Sequence, residues 1–149
     1  MARYSMSGLG QTSNNTLLSH GVAAGATPRR IRVLDMVFGT AASPNDGTFN
    51  LSILRISTAA GTSTAMTPSP VDIADAACLA TGSLTYTVNP TLAAVLLTLG
   101  FNQRSTVRWF AAPGEELGTA ATQFQGVAAQ PAAPSPTASN IAGTMVFDE

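Results

Sequence analysis

The 149-residue chain has few of the side chains that perform chemistry, with one histidine, His20, and one cysteine, Cys78. A metal centre needs several His, Cys or carboxylate ligands at suitable spacing, and a nucleophilic site needs a thiol or hydroxyl beside a base. His20 lies in a polar stretch and is expected to be an exposed loop histidine. Cys78 lies among small apolar residues and is expected to be inert and buried, because cysteine behaves as a small hydrophobe. A Cys78–His20 dyad is the catalytic alternative, and no cofactor or metal is expected.

Carboxylate pairs are the other candidates for chemistry, because glycoside hydrolysis uses two carboxylates in one cleft. The pairs are Asp72 with Asp75, Glu115 with Glu116, and Asp148 with Glu149. The second pair lies in a turn and the third ends the sequence, so solvated loop charges are the preferred interpretation. The sequence has no nucleophile-elbow or phosphate-loop pattern, and Gly8-Leu9-Gly10 continues into residues that break a dinucleotide-binding pattern. We therefore expect that the protein is not an enzyme, with a small hydrolase as the enzymatic alternative.

All seven cationic residues are arginines, and Arg29, Arg30 and Arg32 form the densest charge in the chain. One interpretation is a solvated or ion-paired strand entrance. The other is a candidate interface made by these three residues, since guanidinium groups pair well with carboxylates of a neighbouring subunit. A formal net charge of −1 argues against a nucleic-acid partner, which needs a dense cationic surface. The apolar run at 92–99 is too short to span a membrane, so no membrane partner is expected.

The elements that must position these groups are short segments that alternate apolar with polar or small residues, as half-buried strands do. Residues 2–7 and 141–149, at the two ends, both show this pattern. Turn signals separate about eight such segments, and little of the chain favours helix. The sequence therefore predicts an all-β fold, a jelly-roll-like β-sandwich of about eight short strands, in a single domain over residues 1–149.

The clearest internal strand spans residues 29–38 and is expected to be central in its sheet. Strict alternation places Val33 on one face of this strand and Phe38 on the other. The residues at 43–47 form a strong turn signal, with Pro44 near the start and Asp46-Gly47 at the end. They predict an antiparallel hairpin between this strand and the next one, at 48–58.

Other segments are less distinctive. Residues 94–99 favour a strand over a helix, and residues 71–77 fit either the start of a helix or an irregular excursion. Val107 and Trp109 alternate on one face of a strand at 105–110, so Trp109 is expected in the core. The sequence predicts long loops near residues 8–27, 59–70 and 130–139, with one weak strand near 16–18.

Three stretches resemble small tailed-bacteriophage virion proteins. They are the Met-Ala-Arg-Tyr-Ser opening at 1–5, the run at 102–117 that contains Arg-Trp-Phe-Ala-Ala-Pro-Gly-Glu-Glu, and the ending at 145–149. A fourth stretch, residues 69–76, resembles a mid-chain Asp-Pro-Ala-Asp stretch of those proteins but has Ile73 in place of the proline of that motif, and Phe147 stands where they often have tryptophan. The resemblance implies a head-associated β-sandwich, a decoration or cement protein on the capsid exterior that is often trimeric.

These observations together predict a virion structural protein that stabilises a tailed-phage head. Its expected partners are further copies of itself, with a trimer favoured by the resemblance, and the major capsid protein. One alternative is a tail or fibre module that binds a host glycan, with Trp109, Tyr4 and Tyr86 as the aromatic candidates. Another is a coat protein that assembles its own shell.

Overall fold

The computed structural model describes residues 1–12, 16–41, 46–57, 61–133 and 139–149, and within these ranges the chain forms strands and no helix. The prediction of an all-β fold is therefore confirmed. The strands in chain order are β1 (Arg3–Thr12), β2 (His20–Ala23), β3 (Arg32–Ala41), β4 (Thr48–Ser57), β5 (Thr62–Met66), β6 (Ser69–Pro70), β7 (Thr81–Val88), β8 (Thr91–Asn102), β9 (Thr106–Phe110), β10 (Leu117–Gly118), β11 (Gly126–Ala132) and β12 (Ser139–Asp148).

Two six-stranded antiparallel sheets pack face to face, and the order of their strands is that of a jelly roll. In the first sheet, β1, β12, β3 and β9 lie side by side, and in the second sheet β2, β11, β4 and β8 do. The chain changes sheet at almost every step between these eight strands. The short strands β10 and β6 extend the first sheet, and β5 and β7 extend the second beyond β2. The predicted jelly-roll-like sandwich is confirmed, with eight principal strands and four additional ones.

The two ends of the chain pair with each other. β1 and β12 are antiparallel along their whole length, from Arg3 opposite Asp148 to Thr12 opposite Ser139. β12 also pairs with β3, so it lies inside the first sheet. This pairing satisfies backbone groups that terminal residues usually leave to water. The prediction of strands at both ends is confirmed.

The core lies between the two sheets, where their inward faces meet. In β4, Phe49, Leu51 and Ile53 are fully buried, whereas the intervening Asn50 and Ser52 are partly exposed. Apolar side chains on every second residue produce one buried face when an opposite sheet covers them. Other fully buried large side chains in the described residues include Met6, Met36, Phe38, Ile141, Met145 and Phe147.

The hairpin predicted between the strands at 29–38 and 48–58 is wrong. β3 pairs with β12, β9 and β10 in the first sheet, whereas β4 pairs with β11 and β8 in the second. Turn residues specify a reversal of the chain but do not specify which sheet the next strand joins. Residues 43–45 of that turn lie outside the described residues.

β3 is central, as predicted, but it departs from strict alternation. Its register with β12 shifts between Val146 and Phe147, which leaves Leu34 as an extra residue on β3. A β-bulge of this kind moves the following side chains to the other face. Val33 and Phe38 are consequently both buried in the core instead of lying on opposite faces.

The long loops predicted near residues 8–27 and 59–70 are wrong, because strands run through both of them. The first range contains the end of β1 and all of β2, and the second contains β5 and β6. In the loop predicted near 130–139, β11 extends to Ala132 and β12 begins at Ser139, and residues 134–138 lie outside the described residues. The weak strand expected near 16–18 is replaced by β2, a few residues later. These segments are rich in Gly, Ser and Thr, which are typical of loops, and this composition concealed the strands. Side chains of neighbouring strands fill the space beside their small residues.

Pro131 belongs to β11 and lies opposite Leu51 of β4, although proline cannot donate to a ladder. The Ala129 carbonyl accepts a hydrogen bond from Ser19 N, so residue 129 faces the β2 side. Backbone groups two residues apart face the same side, and β2 pairing ends with Ala129 opposite His20. Pro131 therefore occupies a position where no neighbouring strand requires its N–H.

Candidate functional site

Arg32, at the start of β3, has an ion-pair partner within its own sheet. It lies opposite Asp148 of β12, and Asp148 in turn lies opposite Arg3 of β1. Arg3 Nε is 3.3 Å from Asp148 Oδ1, and Arg32 Nη2 is 3.8 Å from Asp148 Oδ2. The Asp148 carboxylate therefore lies between two cations, and it is buried. Of the three candidate interface arginines, Arg32 fits the ion-paired strand entrance.

The other two candidate arginines, Arg29 and Arg30, precede β3 and are exposed. Arg30 lines a cleft of about 580 Å³ together with Arg55, which lies near the end of β4 in the second sheet. Ile56 and Thr119 form parts of its walls. We name this feature the arginine cleft. The sequence separates its two cations by 25 positions, so local spacing did not reveal Arg55 as a site residue.

The arginine cleft has an excess of positive charge. Arg55 Nη2 donates to the Gly118 carbonyl at 3.1 Å and so links the two sheets. All eight carboxylates lie within the described residues, and none is within 4.0 Å of the guanidinium of Arg30 or Arg55. The pKa of Glu116 is lowered, mainly because it accepts a hydrogen bond from Gly114 N and to a smaller extent because of arginines that include Arg30. The cleft can therefore accept a further anionic group.

Residues 71–75, which we name the acidic loop, follow β6 at the opposite edge of the first sheet. Asp72 Oδ1 accepts a hydrogen bond from Ala74 N at 3.0 Å, and Asp72 O accepts one from Asp75 N at 3.0 Å. These contacts close a local turn, so the irregular alternative holds for this segment and the helical one does not.

The acidic loop presents apolar as well as anionic groups to solvent. Ile73 is 98% exposed and Val71 is 58% exposed, and Asp72 beside them is exposed. Val71 N donates to the Arg3 carbonyl at 2.8 Å, which fixes the base of the loop to β1. Ile73 and Val71 thus form a small exposed apolar patch beside the Asp72 carboxylate.

β8 forms an edge of the second sheet and confirms the strand predicted at 94–99. Within the described residues it pairs with β4 alone, so one side of its backbone ladder has no strand. No residue from Thr91 to Asn102 is charged, and Val95 is 58% and Leu92 39% exposed. Two register shifts against β4 increase its local twist. A long apolar edge of this kind presents backbone N–H and C=O groups that no strand of the described residues pairs.

His20 is buried, so the expectation of an exposed loop histidine is wrong. In the neutral tautomer that fits both partners, Nε2 donates to the Gly8 carbonyl and Nδ1 accepts from Ser19 Oγ, each at 3.1 Å. Burial lowers the pKa of His20 to about 4, so the ring is neutral at pH 7. A Cβ at Gly143 would lie 2.8 Å from Nε2, which explains why a small residue is required there.

Cys78 is half-buried, not fully buried as expected, and its Sγ lies 3.6 Å from Glu149 Oε2. Burial raises the pKa of the Cys78 thiol to about 12, and the Glu149 carboxylate adds to the shift. A protonated thiol is a poor nucleophile. Because His20 contacts Gly8 and Ser19 instead, the structure does not bring the Cys78–His20 dyad together.

The interpretation of Asp148 and Glu149 as solvated charges is wrong. Asp148 is buried between its arginines, and Glu149 accepts hydrogen bonds from Leu79 N and Ala80 N, both at 2.8 Å. A carboxylate that accepts two backbone N–H groups fixes the segment that donates them. These residues act within the fold, whereas Glu115 lies in an exposed turn as expected.

The aromatic candidates for glycan binding are mostly covered. Tyr4 and Tyr86 are buried, and Trp109 is half-buried against the core on the same face as Val107. The shared face is confirmed, although Trp109 is less buried than expected. Phe110, which the sequence analysis did not single out, is 66% exposed. Strand alternation could have predicted the exposure of Phe110, because a residue next to an inward-facing Trp109 must face outward.

Phe110 borders a hollow of about 390 Å³ on the outer face of the first sheet. Arg108 and Asp35 in its wall form a two-point ion pair, with Nη2–Oδ2 at 2.6 Å and Nε–Oδ1 at 3.0 Å. Glu116 also lines the hollow. An exposed ring can stack on a sugar, and carboxylates beside it can accept hydrogen bonds from the sugar hydroxyls.

No family model, curated protein or solved structure matches this chain. Across the described ranges, no three His, Cys, Asp or Glu side chains are grouped so that they could hold a metal ion. Those same ranges contain no helix long and apolar enough to cross a membrane.

Proposed function

We propose that this chain is a structural protein of a tailed-bacteriophage virion, a decoration or cement protein on the capsid exterior. It self-associates, with a trimer favoured by the sequence resemblance, and contacts the major capsid protein. Its role is mechanical and not enzymatic. The jelly-roll sandwich supports this proposal as a fold that viral capsid proteins often use, although lectins and cupins share it.

The observation that carries the proposal is the uncharged, apolar outer edge of β8. Proteins that stay monomeric protect such an edge with lysine, proline, bulges or a covering loop. β8 has two register shifts against β4 but contains no lysine or proline. β8 has no charge over its twelve residues, and its Thr91–Val95 half is exposed. The free N–H and C=O groups of this edge can pair with a strand of a shell protein, and Leu92 and Val95 can bury apolar area in the same contact.

Many copies make such a contact effective. Each copy buries a modest apolar area, at about 25 cal/mol per Å². Repeated over the symmetric positions of a shell, these contributions oppose the separation of capsid subunits under the pressure of packaged DNA. The protein stabilises the capsid through the number of its contacts, and no single contact needs to be strong.

A charge placed on the β8 edge tests this proposal. Val95→Lys should keep the fold and lose most binding to phage heads from which the protein has been removed, measured by co-sedimentation. Val88→Lys is the matched control, since Val88 is 57% exposed and lies in β7, where it pairs with Thr62 of β5, away from the β8 edge. Equal binding by wild type and Val95→Lys, or failure of the wild type to bind, would contradict the proposal. Electron microscopy of complete virions should show the protein on the head.

The Phe110 hollow favours glycan binding as a second candidate function. The test is a glycan array probed with wild type and Phe110→Ala. If specific glycans on the array retain the wild type but not the variant, the result would favour a tail or fibre module. No retention by either protein leaves the decoration role as the better account.

A further inference from the structure

The acidic loop and the arginine cleft lie at the same level of the first sheet, on its opposite edges. One row of paired residues crosses the sheet from Pro70 through Tyr4, Phe147 and Val33 to Leu117. The acidic loop begins directly after Pro70, and Gly118, beside Leu117, lines the cleft. Four strand spacings separate the two edges, roughly 19 Å, so the loop cannot reach the cleft of its own chain.

The two surfaces are complementary in charge. The cleft has Arg30 and Arg55, with no carboxylate of the described chain within 4.0 Å of either guanidinium. The loop has Asp72 and Asp75, and neither forms an ion pair among the described residues. Because every cation of the chain is an arginine, two-point pairing with carboxylates is available at the cleft.

The two surfaces also match in their apolar parts. Ile73, between the two aspartates, is 98% exposed at the tip of the loop. Ile56, Ala93 and Ala120 line the cleft beside its arginines. An apolar side chain flanked by two carboxylates on one edge therefore complements an apolar wall flanked by two guanidinium groups on the other.

We propose that copies of this chain associate head to tail, with the acidic loop of one copy seated in the arginine cleft of the next. Asp72 and Asp75 accept hydrogen bonds from Arg30 and Arg55, and Ile73 packs against the exposed Ala93 and Ala120. The inference rests on the self-association in the proposed function and specifies its contact. A second copy is the occupant because one chain supplies both halves of the contact on opposite edges. Such a heterologous contact closes into a ring when the rotation between copies permits.

Neutral variants of each surface test the contact. Asp72→Asn with Asp75→Asn keeps the side-chain carbonyl that accepts from Ala74 N, and Arg30→Gln with Arg55→Gln neutralises the cleft. Each pair should raise the dissociation constant for self-association by about tenfold or more in sedimentation equilibrium. Glu115→Gln and Arg104→Gln are matched controls, since both residues are exposed and lie outside the two surfaces, and should assemble as wild type does. Arg30→Gln alone covers the case in which loss of the Arg55–Gly118 hydrogen bond unfolds the protein.

Mixing the two neutral variants distinguishes head-to-tail contact from a symmetric one. The cleft variant retains an intact loop, and the loop variant retains an intact cleft. Equal amounts should form a one-to-one heterodimer that does not grow, because only one of its contacts is complete. A symmetric contact made by either surface alone would give no heterodimer, and this result would overturn the inference.

The remaining outcomes also separate the inference from the proposed function. If wild type assembles and both neutral variants assemble equally well, the head-to-tail contact is wrong, while binding to heads through β8 still stands. If the cleft variant assembles normally but loses head binding, the cleft contacts the capsid and not a second copy. A wild type that stays monomeric at all concentrations overturns the head-to-tail contact, whatever its binding to heads.

Discussion

His20 and Phe38 meet edge to face across the core, with ring centroids 5.4 Å apart and an interplanar angle of 73°. His20 belongs to β2 in the second sheet and Phe38 to β3 in the first, so this contact ties the two sheets together. The ring also bonds the Gly8 carbonyl of β1. One buried, neutral imidazole thus joins three strands, and its protonation state affects the whole sandwich.

We expect acid to destabilise the protein through His20. Its pKa is lowered to about 4 in the folded state from an ordinary 6.5. Above pH 6.5 the ring is neutral in both the folded and the unfolded state, so its titration does not change the free energy of unfolding. As the pH falls from 6.5 to 4, only the unfolded state binds the proton, and about 3 kcal/mol of unfolding free energy is lost. Urea denaturation at pH 7 and pH 4 measures the loss, and His20→Gln should be less stable at pH 7 but less sensitive to this pH change.

Asp148→Asn should destabilise the protein by about 1–3 kcal/mol, because a buried carboxylate loses its charge between Arg3 and Arg32. Asp35→Asn is the matched control, since Asp35 has one arginine partner, the 63% exposed Arg108, whereas Asp148 has two, of which Arg32 is only 30% exposed. Urea denaturation should show the larger loss for Asp148→Asn. A larger loss for Asp35→Asn would mean that its single two-point pair contributes more than the two arginines beside Asp148.

Gly143→Ala should destabilise the protein by about 1–3 kcal/mol, because the added methyl overpacks the core. Its Cβ would lie 2.6 Å from the Phe38 ring and 2.8 Å from His20 Nε2. Gly47→Ala is the control, since the nearest atom to its Cβ is 3.5 Å away. Thermal denaturation followed by circular dichroism distinguishes them, and equal melting temperatures for the two variants would contradict this account of Gly143.

Trp109→Ala should cost about 2 kcal/mol, less than the truncation of a fully buried tryptophan, because Trp109 is only half-buried. Phe110→Ala should have a much smaller effect on stability, since Phe110 faces outward on the same strand. Denaturant titration of both variants provides the comparison. A greater loss from Phe110→Ala would show that the two faces of β9 are reversed.

Much of the fold could be predicted because strand patterns are local. The alternation at 2–7 and 141–149 and the run at 94–99 each identified a real strand. The bulge at Leu34 could not be predicted, because it appears only when β3 is aligned with β12. The site could be predicted only in part for the same reason. Arg29, Arg30 and Arg32 are close in sequence and were recognised as a cluster, whereas Arg55 reaches the cleft only because one sheet packs on the other.

Composition and period-two alternation, by themselves, determined that this chain is an all-β sandwich with strands at both ends. They specify which residues prefer a half-buried strand, and that preference depends on near neighbours alone. Only the tertiary structure decided that β3 and β4 lie in different sheets, that His20 is buried, and that the acidic loop and the arginine cleft occupy opposite edges. Each of these depends on contacts between residues far apart in the sequence, whose geometry is set when the two sheets pack together and exclude water from the core.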